Sequence, residues 1–293
     1  MFKRLEIFLI GAVFFLITTI ILVVYSTQRV QEFKAHNNDI QKTTLHGAAY
    51  AINVKLLDKR RHVRLFANEY SRIFFRLMNF PNDEKTKNDI TTRLKQRFHD
   101  FFTFTITDQT AKPILENIES FVGHACQLDL ANFSKALKTN NQSYNNKVFI
   151  HPQPMHYHFD VMAPLYTNQQ NPRIFFISFY LNEISDILKT HELPGQKLML
   201  VRASDTSLIE VTSQGARDKI KRDIRLSDEE QRNIKVYEKI ADTDWRIVSL
   251  PDISYQKKYL RGLWTEAIII LGIVTIALTL LIFIISRKSD NCD

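Results

Sequence analysis

The stretch that most constrains this chain is Ala267 to Ser286, AIIILGIVTIALTLLIFIIS, which holds no charge over twenty residues. Its apolar side chains run all the way round, with no polar face to turn to water. In hydrocarbon that is what a single spanning helix needs, about 20 residues at 1.5 Å rise. Trp264 and Glu266 stand at one edge and Arg287 and Lys288 at the other, as an interfacial anchor and a cytoplasmic stop. A second uncharged run, Ile7 to Tyr25, follows Lys3 and Arg4. A cleavable signal peptide has a shorter apolar region that ends in small residues. Here the run continues to Val24 and leaves through Tyr25-Ser26-Thr27-Gln28-Arg29, so it reads as an uncleaved anchor.

Two spans put both flanks on one side, and the basic residues beside them make that side the cytoplasm. Residues 1–6 then form a cytoplasmic N-terminus, 7–25 and 263–286 the spans, and 287–293 a cytoplasmic tail. The long segment between them is also rich in Lys and Arg, but a loop of that length translocates regardless of charge. A net charge of +8 would suit nucleic acid. On an outer domain it points instead to anionic membrane surface or acidic ligands, and no nucleic-acid partner is expected. Cys126 falls in the outer segment and Cys292 in the inner tail, so the two cysteines cannot pair. The domain must stand on its hydrophobic core.

From Val30 the first span continues as a helix, with no proline before Pro81. Leu45, Ala49, Ile52, Leu56, Lys59, Val63, Phe66, Tyr70, Ile73, Leu77 and Phe80 follow alternating steps of four and three. That is a heptad seam with one polar interruption, Lys59, and it suits either a dimeric coiled coil or a helix laid along a sheet. Lys59-Arg60-Arg61-His62 with Arg64 reads as a solvated helix face. Pro81 breaks the helix and a shorter one runs to about His99. Phe101–Thr107 and Pro113–Ile118 are strands around the turn Asp108–Lys112, and Val122–Leu137 is an amphipathic helix. After a polar loop, Thr139–Asn146, come strands at Lys147–His151, Tyr157–Leu165 and Arg173–Tyr180, then a helix over Leu181–Lys189. A second pass gives strands at Lys197–Val201 and Leu208–Thr212, a helix capped by Ser227, and a hairpin of Ile234–Ile240 with Trp245–Leu250.

The order of these elements resembles the Cache family, the PAS-like extracytoplasmic sensor domains of bacterial receptors. The features that carry it are the flanking spans, the long first helix, Phe104-Thr-Ile-Thr-Asp108 with Pro113-Ile-Leu115, and the closing Trp245-Arg-Ile-Val-Ser-Leu-Pro251. Ile150-His-Pro, Tyr157-His-Phe-Asp160, Phe175-Phe-Ile-Ser-Phe179 and Leu193-Pro-Gly195 are similar to sensor regions found ahead of diguanylate-cyclase output domains. The resemblance implies an α+β fold in which residues 26–100 form the helical part. A membrane-distal PAS-like sheet lobe follows over 101–193, and a smaller membrane-proximal lobe over 194–262. It implies a two-pass protein of the bacterial inner membrane with its main domain in the periplasm. The amino-acid-binding motif of one Cache branch is not evident. Such receptors continue after the second span into an output domain, whereas this sequence stops at Asp293, so the expectation is either a truncated receptor or one that signals through a separate output protein as partner.

Strand alternation gives the candidate site. Phe102, Phe104 and Ile106 share one face of the first strand, and Thr103, Thr105 and Thr107 the other. Tyr157, Phe159 and Val161 oppose His158, Asp160 and Met162. Phe175, Ile177 and Phe179 oppose Phe176, Ser178 and Tyr180. The PAS-like strand order, supplied by the resemblance, makes these strands neighbours, so His158, Asp160, Ser178 and Tyr180 line one cavity with Thr103 and Thr105 on its floor. Convergent polar groups within apolar walls are what a small-ligand site requires, and a sheet with one solvated face gives the same pattern.

His156, His158 and Asp160, with His151 near, raise a metal site. Without a remote ligand the run reads as ligand contacts, and no metal or cofactor is expected. Cys126, on a helix with Leu130 and Phe133, reads as a buried, inert thiol. No nucleophile elbow, phosphate-cradling glycine loop or His-Glu-x-x-His occurs, and with seven glycines backbone cradles are scarce. An enzyme is not expected. The sequence thus predicts a membrane-anchored sensor for a small ligand, homodimeric through its long helix. An accessory subunit that docks another envelope protein is the rival reading.

The topology is directly testable. A reporter enzyme active only in the periplasm, fused after Asp293, is expected to be inactive. Activity of the fusion after Asp293 would overturn the two-span topology.

Overall fold

The computed structural model describes residues 2–115, 124–139, 148, 150–151, 157–165, 173–217 and 222–290. In chain order the elements are α1 (Phe2–Glu69), α2 (Ser71–Asn79), α3 (Glu84–Arg97), β1 (Phe101–Ile106), α4 (His124–Lys138), β2 (Ile150–His151), β3 (His158–Leu165) and β4 (Arg173–Tyr180). Then follow α5 (Asn182–His191), β5 (Gln196–Arg202), β6 (Ile209–Thr212), β7 (Gly215–Ala216), α6 (Asp228–Asn233), β8 (Tyr237–Lys239), β9 (Trp245–Pro251) and α7 (Ile253–Asp290). The fold is α+β, with a long first helix, antiparallel sheets and two apolar helical stretches. Outside the described residues lie the expected strand end 116–118, the helix start 122–123, most of the polar loop 139–146 and His156. Two compact units form, Met1–Gln41 with Asp252–Asp293, and Lys42–Pro251.

In the first unit the helices carry stretches long and apolar enough to cross a membrane, within Phe8–Glu69 and Ile253–Ile285. Their large side chains, Phe8, Ile10, Ile268 and Phe283 among them, are exposed. A Cβ on Gly11 would come within 2.8 Å of Ile282 Cδ1, so the helices pack closely where that side chain is missing. Phe33 and Tyr259 stack with ring centroids 3.9 Å apart.

The second unit holds two antiparallel sheets, one ordered β1-β4-β3-β2 and the other β7-β6-β5-β9-β8. One hydrophobic core joins them. It runs from Leu45, Ile52, Leu56, Val63 and Phe66 of α1 through Phe175, Ile177 and Phe179 of β4 to Leu198, Ile247 and Trp245. Trp245 meets Phe159 edge-on at 6.2 Å, which ties the closing hairpin to the first sheet. The heptad seam is therefore spent inside the chain. Leu45, Ile52, Leu56, Val63 and Phe66 are buried against its own sheets, and Phe66 packs on Phe175. The helix also ends earlier than its proline-free sequence suggests. Tyr70 leaves helical geometry with ψ 19°, and α2 restarts at Ser71.

Part of the expected solvated face is not solvated. Lys59 is buried, its ammonium paired with Asp100 and, at 2.7 Å, with Glu183, and seated 4.4 Å over the Phe179 ring. Arg60 lies near Asp242, with 3.7 Å between their charged atoms, and only Arg61 and Arg64 remain exposed. Lys55 reaches Glu183 at 3.2 Å. Burial pushes the Asp100 carboxyl above its usual value, with Lys59 pulling the other way. Burial also works to raise Glu183, but Lys59 and Lys55 together hold it below the usual range.

Two expectations follow. Lys59→Ala leaves two carboxylates without their shared buried cation and is expected to cost about 3–5 kcal/mol in chemical denaturation; a loss near zero would show the pairing to be incidental. Native Asp100 holds its proton more tightly than the unfolded chain does, so its contribution to stability falls as pH rises between the unfolded and native values. Glu183 works in the opposite direction, its contribution being lost as pH falls. Asp100→Asn removes the first slope and keeps the second. Its stability should rise more steeply with pH across the acid range than that of the wild type, and an unchanged slope would contradict the assignment.

Candidate functional site

The sheet register brings the sequence-predicted residues onto one face. Asp160 pairs with Ser178 and Ser178 with Thr103, while His158 pairs with Tyr180, and Thr105 with Phe176. Alternation sends Phe159, Ile177, Phe179 and Phe104 to the other face, toward the core shared with α1. The polar face is not solvated. α4 packs across β3 and β4, with Cys126, Leu130 and Phe133 buried. Exposure is 1% for His158, 4% for Asp160 and 0% for Ser178, Thr105 and Cys126. Thr103 and Tyr180 are half-buried.

The structure brings three of the six expected residues into direct proximity. The Ser178 hydroxyl donates to Asp160 Oδ1 at 2.6 Å, and the same oxygen lies 3.6 Å from His158 Nε2. Tyr180 borders the cluster through Phe102, whose ring is 5.0 Å from the Tyr180 ring and 5.2 Å from the imidazole. Thr105 spends its hydroxyl on the Ile106 carbonyl at 3.1 Å, so it is floor rather than contact.

Two corrections follow. Strict alternation puts Phe102 on the apolar face with Phe104 and Ile106. A register shift between Phe101 and Thr103 inserts it as an extra residue, and its ring joins His158 and Tyr180 instead. Cys126 is buried, as its helical spacing with Leu130 and Phe133 suggests, but it is not surrounded by hydrocarbon alone. Its Sγ lies 3.8 Å from His158 Nε2. That spacing marks a covered helix face and carries no information about what lies beneath it.

The arrangement thus places a carboxylate, an imidazole, a thiol and a hydroxyl from three elements in a water-poor layer between sheet and helix. A buried carboxylate is costly unless hydrogen-bonded or paired. Ser178 supplies one such bond, and a bound cation would supply the strongest compensation. A different cavity, about 490 Å³, lies in the first unit between α1 and α7, lined by Tyr25, Arg29, Tyr255, Lys258, Tyr259 and Glu266. It sits where two apolar stretches meet their polar ends, the level at which lipid headgroups and aromatic belts mix. Volume favours that cleft, but the convergent ionisable groups favour the sheet face, and specificity comes from such groups.

Removing the Ser178 hydroxyl tests the geometry. Ser178→Ala is expected to lose about 1.5–3 kcal/mol, the usual worth of a hydrogen bond to a charged group. In an Asp160→Asn background the same change should cost less. Equal losses in both backgrounds would show that the two side chains are not coupled.

No family model and no curated protein matches the chain. Among solved structures it is similar to the sensory domain of the Campylobacter jejuni chemoreceptor Tlp3 (CcmL), at 9% identity and a TM-score of 0.45, covering 80% of this chain and 99% of that one. It is similar to the ligand-binding domain of Mlp24 with asparagine, at 12% identity and a TM-score of 0.45, covering 79% and 98%. The ligand-binding domain of the Pseudomonas aeruginosa PAO1 chemoreceptor PctB in complex with L-Arg gives 12%, 0.45, 76% and 97%. These are what the chain is similar to; its own side chains carry the functional reading.

Proposed function

We propose that this chain is a membrane-anchored sensor whose outer domain binds a small cationic ligand at His158, Asp160 and Ser178. One observation carries the reading. Ionisable groups from α4 and β3, with a hydroxyl from β4, converge on a sheet face that a helix covers, where a solvated face would be enough for folding. The two apolar helices and their basic flanks support the bacterial inner membrane as location, with the second unit in the periplasm.

The same strand supports a route for the signal. Ser178 faces the site, and its neighbour Phe179 lies under the Lys59 ammonium on the opposite face. Asp100, just before β1, accepts the Tyr180 N–H through its backbone carbonyl at 2.8 Å, and Glu183 opens α5 just after β4. A ligand that shifts β4 therefore biases the charge set holding α1, a population shift between two packings of one helix.

Homodimerisation fits a second stripe of α1. Tyr50, Val54, Leu57 and Leu65 are large, apolar and exposed on the side away from the buried seam. Leu57→Asp is expected to weaken crosslinking between copies in membranes while leaving the fold intact, whereas Ile52→Asp would unfold the domain. Undiminished crosslinking in Leu57→Asp would remove this stripe as the interface.

Ligand binding itself is tested by a thermal-shift screen of the full chain in detergent, with metabolites and divalent ions, run with and without chelator. A stabilising hit is expected to be lost in Asp160→Asn. A hit that survives both Asp160→Asn and Ser178→Ala would place the ligand elsewhere.

A further inference from the structure

The strongest unassigned chemistry in the molecule is the trio of Cys126, His158 and Asp160, whose donor atoms all lie within 4.8 Å of one another and are all buried. We propose that these three residues form a zinc-binding site, with Cys126 Sγ, His158 Nε2 and Asp160 Oδ1 as ligands. This deepens the sensor reading and rests on it for function, since it names the cation bound at the same face.

The spacing is the first reason. Bonds of about 2.0–2.3 Å to sulfur, nitrogen and oxygen set at tetrahedral angles leave neighbouring ligand atoms roughly 3.4–3.6 Å apart. Sγ and Nε2 are 3.8 Å apart and Nε2 and Oδ1 3.6 Å, so these two edges close with adjustments of a few tenths of an ångström. All three donors lie within 4.8 Å of one another, and rotation of the Cys126 side chain toward Asp160 closes the third edge. The donor set is the second reason. A thiolate with an imidazole selects zinc-type ions over magnesium or calcium, which take oxygen ligands. A thiolate and a carboxylate bring two negative charges, so a divalent ion makes the site neutral with the histidine uncharged. Neutrality matters where every ligand is buried.

The surroundings are the third reason. Ser178 donates to Asp160 Oδ1 at 2.6 Å, which orients the carboxylate as outer hydrogen bonds do at metal centres. Phe102 packs against the imidazole and limits its rotation. The three ligands come from two strand positions and one helix, so the ion would fasten α4 to β3. Three protein ligands leave one position of the tetrahedron for water or a ligand atom.

The test uses the full chain in detergent, with Cys292→Ser so that Cys126 is the sole thiol. The protein is reduced, stripped of metal and titrated with Zn²⁺ against a chromophoric chelator. One tight equivalent is expected, weakened at least about tenfold by each of Cys126→Ala, His158→Gln and Asp160→Asn. Cobalt in place of zinc should give a thiolate-to-metal charge-transfer band that Cys126→Ala abolishes. Cys126→Ala nearly conserves volume and leaves the Ser178–Asp160 pair in place, so it carries the test if a polar variant fails to fold. No tight equivalent in the folded protein, or one that Cys126→Ala leaves unchanged, overturns the zinc site. If an organic ligand lost in Asp160→Asn then binds in chelator, zinc alone is excluded and the sensor reading stands. If nothing binds in either arm, both fall.

Discussion

One buried cation organises the second unit. Lys59 sits on the apolar seam of α1 and shares its charge between Asp100, which precedes β1, and Glu183, which begins α5 after β4. A lone ammonium in that position would be expelled by its desolvation cost, and so would either carboxylate. Held together over the face of Phe179, they fix the angle and register at which the long helix crosses the first sheet. The surrounding apolar packing of Phe66, Phe74 and Phe175 supplies the free energy, and the charges select one arrangement among those the packing would allow.

The strand beneath that lock has two occupations. Odd-numbered residues of β4, Phe175, Ile177 and Phe179, belong to the core shared with α1, while Ser178 and Tyr180 belong to the face under α4. A β-strand cannot shift one set without the other, because neighbouring side chains leave the same backbone in opposite directions. A ligand bound on one face of a central strand would therefore act on a charge lock built on the other. No long chain of contacts is needed between Asp160 and Lys59, since Ser178 and Phe179 are adjacent residues.

Much of this is legible in the amino-acid sequence. Period-two alternation puts His158 with Asp160 on one face of their strand, and Ser178 with Tyr180 on one face of theirs, because strand geometry is local; that the two strands are neighbours comes from the resemblance and not from the pattern. The capping box at Ser227 and Glu230 was likewise written in four residues. What failed to show was whatever depends on a distant partner or on an irregularity. Lys59 was visible as an interruption of the seam, but nothing near it names Asp100 or Glu183. Cys126 was visible as a covered position, but its neighbour His158 comes from another element. The bulge at Phe102 reversed one side chain without any glycine or proline to announce it. The heptad seam fitted two partners, and only the tertiary structure could award it to the chain's own sheets.

The central claim is that the polar face and the long helix form one coupled system. Amide hydrogen exchange read by mass spectrometry over β3, β4 and residues 50–66 of α1 tests it most directly, comparing the wild type with Asp160→Asn. If the two faces of β4 are coupled, exchange changes in the strands and also in the α1 segment around Lys59. A change confined to β3 and β4, with α1 exchanging as in the wild type, would contradict the coupling.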